Sequence, residues 1–165
     1  RDAFFAELQK DPAALQAIED DIARSTLDRR VHASLVIDGE QSAVAGKLLL
    51  QPALASGRTR DLLDHHLGDG FAILGFNCDP RAVLGEETIR QWDGWGASIV
   101  RVHSSTDDLR GGDLLDDKNE LSDWLGGAQP AVLLIRPDRF CMVHAHPREA
   151  DDRLRRAYAL IAGGV

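Results

Sequence analysis

The residues best suited to chemistry lie together in Asn77-Cys78-Asp79-Pro80-Arg81. They follow an apolar run, and Pro80 fits the first position of a helix because its missing N–H would be unpaired there. A thiol at a helix start can be held as thiolate by the positive helix end and by a guanidinium such as Arg81, while the neighbouring Asp79 carboxylate opposes ionisation. A second cysteine three residues on would complete a dithiol pair, but Arg81 stands there. Two readings follow: a single-thiol redox or peroxide-reacting site using Cys78 with Arg81, or a small buried thiol that does no chemistry.

Other groupings are weaker. His103 precedes Ser104-Ser105 at a strand end, without the glycine-flanked elbow that exposes a serine nucleophile. His65-His66 and His144-Ala145-His146 lack ligand spacing and read as ordinary surface or hairpin histidines. Ser104 to Lys118 carries Asp107, Asp108, Asp113, Asp116 and Asp117, but the alternation, central glycine and final glutamate of a calcium loop are missing, so a solvated loop is expected. No Gly-x-Gly-x-x-Gly follows a strand; Gly68-Asp69-Gly70 and Gly94-Trp95-Gly96 read as turns. Trp92, Trp95 and Trp124 are candidates for partner anchors in an interaction module, or for caps on the core at helix ends.

The elements that position these residues follow from apolar periodicity. Phe71 to Phe76 is continuous enough for a central strand buried on both faces. Arg81 to about Trp92 fits one amphipathic helix, and Ala97 to Val102 a second buried strand, which makes a crossover unit with parallel pairing. Leu121 to Leu125 predicts a short helix closed by Gly126-Gly127. Pro130 to Ile135 and Phe140 to Val143 flank a turn and predict an antiparallel hairpin. Pro147 to Ile161 is a final helix with Ala150, Leu154, Ala157, Tyr158 and Ile161 inward. Ahead of this core, Arg1 to Arg24 reads as a helical arm broken at Asp11-Pro12. Ser25 to Gln51 reads as a linker with a hint of strand over Val31 to Ile37, and Arg58 to Leu63 as a short extended piece or a turn of helix. The expected division is 1–45 for arm and linker and 46–165 for the main domain.

Composition narrows the function classes. Of 165 residues, 44% are hydrophobic and 28% charged, as in a soluble globular domain. No apolar run approaches the roughly 20 residues needed to span a bilayer. A formal charge of −8 without a basic stripe argues against nucleic acid. Two cysteines are too few for a secreted disulfide framework, so the cytoplasm is the expected location. The chain begins at Arg1 without methionine or a signal-peptide pattern, and reads as a piece of a longer polypeptide.

Cys78-Asp79-Pro80-Arg81 resembles the thioredoxin active-site loop, Cys-Gly-Pro-Cys, without its resolving thiol. Gln129-Pro130-Ala131-Val132-Leu133 resembles the segment where thioredoxins place a cis-proline, so a cis bond at Pro130 is expected. A closer likeness lies in Gly46-Lys47-Leu48-Leu49-Leu50-Gln51-Pro52, in Leu62 to Leu74, and in Leu134-Ile135-Arg136-Pro137-Asp138-Arg139-Phe140. Together these resemble the C-terminal thioredoxin-like domain of FAD-dependent aromatic-ring hydroxylases, the group of phenol hydroxylase and 3-(3-hydroxyphenyl)propionate hydroxylase, over roughly Gly46 to Ile161. The resemblance implies an α/β thioredoxin-like fold, with a central mixed sheet flanked by helices and an N-terminal helical arm. It also implies a parent enzyme that uses FAD, NAD(P)H and O₂ on a phenolic ring, with the preceding flavin domain of the same chain as partner and a homodimer as the assembly. The domain itself would have architectural and subunit-contact roles, no dithiol activity, no catalytic residue and no bound cofactor or metal. Pro80 and Pro130 would then be structural.

Overall fold

The computed structural model describes residues 36–37 and 42–163. The expected helical arm Arg1–Arg24 and most of the alternating stretch before Asp38 lie outside the described residues. The strands are β1 (Ala53–Ser56), β2 (Thr59–Leu62), β3 (Ala72–Phe76), β4 (Ser98–His103), β5 (Leu114–Leu115), β6 (Ala131–Ile135) and β7 (Cys141–Ala145). The helices are α1 (Leu63–Leu67), α2 (Pro80–Val83), α3 (Glu86–Gly94), α4 (Glu120–Leu125) and α5 (Pro147–Ala162).

The strands form one sheet of seven in the order β2-β1-β5-β4-β3-β6-β7. β3 pairs parallel with β4, from Ala72↔Ser98 to Phe76↔Val102, and antiparallel with β6. β6 and β7 form the expected hairpin. The expected mixed sheet with flanking helices is therefore present.

Both faces of the central strands are covered, which is why β3 and β6 read as unbroken apolar runs rather than alternating ones. Ala72, Leu74 and Phe76 join Leu133, Ile135, Leu54 and Leu121 in one core layer. Ile73, Val132 and Leu134 join Trp92, Ala150, Leu154 and Ala157 in the other, beneath α3 and α5. Each such Leu, Ile or Phe, fully removed from water, contributes about 1.5–3 kcal/mol. Ile37, Val44 and Ala45 are also buried, so the packed body includes residues ahead of Gly46. Trp92 is a core residue, and Phe71, Trp95 and Tyr158 crowd around it with ring centroids 5.3–5.8 Å away.

Of the two readings of Arg58 to Leu63, the extended one holds over Thr59–Leu62: Gly57 holds φ 59 at the turn, β1 and β2 pair from Ser56↔Thr59 to Ala53↔Leu62, and Leu63 opens α1. One element differs from expectation. The helix expected over Arg81 to Trp92 breaks at Leu84 and Gly85, which are extended. Asp151 of α5 causes the break, since its carboxylate accepts from Gly85 N (2.7 Å) and from Thr88 Oγ1 (2.7 Å) and so caps α3 from outside.

The sheet edges are treated differently. Along β7 the backbone of residues 46–49 covers the edge through Gly46 N→Cys141 O, Cys141 N→Lys47 O and Leu49 N→Arg139 O. β2 at the other end is exposed throughout, and the Asp61 carboxylate takes up the Leu62 N–H (2.9 Å).

Candidate functional site

The site begins where β3 stops. Asn77 adopts φ 51, a conformation that asparagine tolerates better than most residues. Its side chain donates to Ala128 O (2.8 Å) and Ser104 Oγ (2.9 Å) and accepts from Ser104 N (2.8 Å), which ties the ends of β3 and β4 to the loop before β6. Ser104 is thereby committed to structure. Gly75 makes the next step possible: a Cβ there would stand 2.4 Å from Cys78 O and 2.5 Å from Pro80 Cδ, so the loop can fold back on the strand only over a glycine.

Asp79 caps α2 by accepting from Arg81 N (3.0 Å), and Pro80 takes the first helical position as expected. α2 has four residues, so it offers Cys78 little of the dipole that a full helix would supply. Cys78 is half-buried and donates to Ala131 O (3.3 Å). Burial, and secondarily the Asp79 charge, push its thiol up to about 11. Arg81 reaches away toward Asp93 (3.8 Å) on α3. Cys141 is fully buried in the opposite core layer and donates to Val143 O (3.1 Å). The two cysteines and Arg81 are thus not assembled around one reacting position.

An ionic cluster stands beside Cys78 instead. Arg101 of β4 meets Asp79 at 3.1 Å and Asp113 at 2.5 Å, and His103 Nε2 lies 3.0 Å from Asp113. Asp113 also accepts from Arg110 N (3.0 Å) and is 3% exposed. Asp116, equally buried, accepts from Ser122 N (2.8 Å) at the start of α4. The acidic loop is therefore not wholly solvated: Asp113 and Asp116 turn inward because a guanidinium, an imidazole and backbone N–H groups receive them. The sequence offered a signal in Arg101 and His103, alternate residues of a strand, which point a cation and an imidazole to the same side.

A cleft of about 180 Å³ opens between Asn77, Cys78, Asp79, Arg101, His103 and Arg110. A second, of about 300 Å³, shares Asp79 and Arg101 and reaches Arg81, Ile99 and Gly112. These clefts hold paired charges and a neutral thiol, an arrangement suited to fixing loops. The β3–α2 turn carries a capping carboxylate and a proline where a dinucleotide site needs free N–H groups.

The remaining expected site residues are dispersed. No described peptide bond is cis, so the cis bond expected at Pro130 is not there; Pro130 is trans and lines a cleft of about 200 Å³ with Gln129, His144 and His146. His65 meets Asp61 at 2.6 Å and His144 bonds to Ser42 at 3.0 Å. Among the described residues, no group of three or more His, Cys, Asp or Glu side chains is placed to hold a metal ion, and no helix is long and apolar enough to cross a membrane.

The profile of one domain family, the HcaD C-terminal domain, matches residues 46–160. The chain belongs to the HcaD C-terminal domain family. A 3-(3-hydroxy-phenyl)propionate/3-hydroxycinnamic acid hydroxylase of Comamonas testosteroni is 31% identical over 133 residues, which is 76% of this chain and 22% of the relative. One from Escherichia coli is 31% identical over 128 residues, 70% of this chain and 22% of the relative. The HcaD C-terminal domain chain thus spans about a fifth of the curated relatives it matches. Among solved structures, aklavinone-11 hydroxylase aligns with TM-score 0.53 and 18% identity over 78% of this chain and 26% of its own. Peroxidoxin BcpB from Mycobacterium tuberculosis aligns with TM-score 0.50 and 16% identity over 73% of this chain and 97% of its own. At those identities the likeness is one of fold, and the fold is thioredoxin-like.

Proposed function

We propose that this chain is the non-catalytic C-terminal domain of a flavin-dependent aromatic hydroxylase, and that its roles are architecture and subunit contact. In this reading the parent uses FAD, NAD(P)H and O₂ to hydroxylate a phenolic ring and works as a cytoplasmic homodimer. Residues 1–45 close the preceding flavin and substrate region, which is the domain's same-chain partner, and 46–165 form the appended domain. The observation that carries the reading is the match to the HcaD C-terminal domain over residues 46–160, together with the likeness to hydroxylases of which the chain covers 22%. The site geometry agrees with it. A half-buried Cys78 bonded to a carbonyl and an arginine at position 81, where a resolving cysteine would stand, support a domain without dithiol chemistry.

The purified 165-residue chain is expected to be colourless and to leave FAD fluorescence unchanged. The full-length parent is expected to carry FAD and to oxidise NAD(P)H when given a phenolic acid. Peroxide or disulfide reduction by the chain alone, abolished by Cys78→Ser, would overturn this reading in favour of a single-thiol enzyme.

A further inference from the structure

Ser42 and His144, 102 residues apart, form a contact whose polarity is fixed by hydrogen-bond counting. Ser42 Oγ accepts from Val44 N (3.2 Å) and Ala45 N (3.0 Å), which occupies both of its lone pairs. Its one proton is then free to donate, and its remaining partner is His144 Nδ1 at 3.0 Å. Nδ1 must accept, so the ring is neutral with its proton on Nε2. An imidazolium would direct an N–H at an oxygen with no lone pair left, and the contact could persist only if Ser42 released a backbone N–H.

This contact anchors a segment that precedes the domain core. Ser42, Val44 and Ala45 are at most 8% exposed, and Val44 packs in the layer that contains Cys141. From Gly46 onward the chain is held independently by backbone bonds to β7 and to the turn before it. We propose that His144 is a proton-operated latch: neutral, it holds residues 42–45 against the β6–β7 hairpin, and protonated, it releases them.

The surroundings favour the neutral form. Burial, and secondarily the Arg153 charge, hold the His144 pKa below its usual value of 6.5. Arg153 comes from α5 and donates to His144 O (3.1 Å). Glu149 of α5 meets Arg153 at 2.9 Å and tempers that charge. His146 faces the same cleft and accepts from Arg148 N (3.3 Å), while Leu133 of β6, opposite His144, is apolar. The cleft is open, so protons reach the ring. Because the docked state has the lower pKa, docking is at full strength above about pH 6.5. Between that value and the docked pKa it weakens by about tenfold per pH unit, and it levels off below.

The test is amide hydrogen exchange at Val44 and Ala45 in the whole 165-residue chain from pH 5 to 8, corrected for intrinsic exchange. Protection in the unaltered chain should fall on acidification below about pH 6.5, while amides of β3 hold steady. His144→Asn, whose amide oxygen stands where Nδ1 stood and can still accept from Ser42 but does not titrate, should show a flat profile. Ser42→Ala should show low protection at every pH. Protection independent of pH in the unaltered chain, or a His144→Asn profile that falls in parallel with it, would overturn the latch.

Discussion

The reactivity of Cys78 puts the proposed loss of redox function to a numerical test. With its thiol near 11, only about one molecule in 10⁴ is ionised at pH 7, against about 3% for a free cysteine of pKa about 8.5. That is a deficit of about 300-fold in thiolate. A more basic thiolate is intrinsically more nucleophilic, by about tenfold over this interval at a Brønsted slope of about 0.4–0.5. Alkylation by iodoacetamide at pH 7 should therefore run about 30-fold slower than that of free cysteine, and slower again because the sulfur is half-buried. The assay is the rate of mass gain on the Cys78 peptide as a function of pH, measured on the native chain. The rate should keep rising through pH 9.5 without a plateau. Asp79→Asn should speed it by less than tenfold, since burial is the larger cause of the shift. A plateau at or below pH 8, or a rate at pH 7 matching free cysteine, would refute the assignment of Cys78 as an inert thiol.

Three further outcomes are expected. Gly75→Ala should cost about 3 kcal/mol, because the atoms a Cβ would strike belong to the Cys78 backbone and the Pro80 ring, whereas Gly94→Ala, which meets nothing within 4 Å, should stay within about 1 kcal/mol; urea midpoints compare the two. Asp113→Ala should also cost about 3 kcal/mol, because it removes the buried partner of His103 and leaves Arg101 with Asp79 alone, and pairing it with Arg101→Met should cost less than the sum of the separate changes in the same titration. Asp151, its carboxyl held below the usual range by the Thr88 hydroxyl and then by Gly85 N–H, supports folding above its unfolded value of 3.8 and loses that support as pH falls through the lower folded value. Asp151→Ala should accordingly flatten the acid limb of a stability-against-pH curve.

What could be read from the sequence was what local pattern decides. β3, β4, the β6–β7 hairpin and α5 were legible because apolar runs and turn residues bound them. β1 was not, because Ala53, Ala55 and Ser56 are small, and β2 was legible only as one of two alternatives, because every residue of it is exposed and no alternation marks it; Gly57 was the available cue. β5 has two residues and exists through its partners in β1 and β4. The break before α3 is imposed by Asp151, 66 residues on in sequence, and Asp113 is buried because Arg101 and His103 meet it. At the candidate site the strand, turn and proline cap around Cys78 were readable. The Gly75 clearance and the direction of Arg81 depend on how the loop folds back. The expected cis bond at Pro130 came from likeness to a fold whose loop this chain does not copy in detail.

The unequal treatment of the two sheet edges bears on how such a module tolerates crowding. A sheet with an open edge is a template on which further strands can grow, and molecules held at high local concentration would be the first to join edge to edge. Here one end is met at Cys141, and at the turn before it, by the chain's own backbone at residues 46–49. The other end presents Arg60 and Asp61, the arginine tied to Asp117 and the aspartate folded onto Leu62 N–H. An incoming strand would have to displace both charges before it could pair. Replacing both with threonine would convert that end into an adhesive one, and the chain would be expected to form soluble oligomers at concentrations where the unaltered molecule does not.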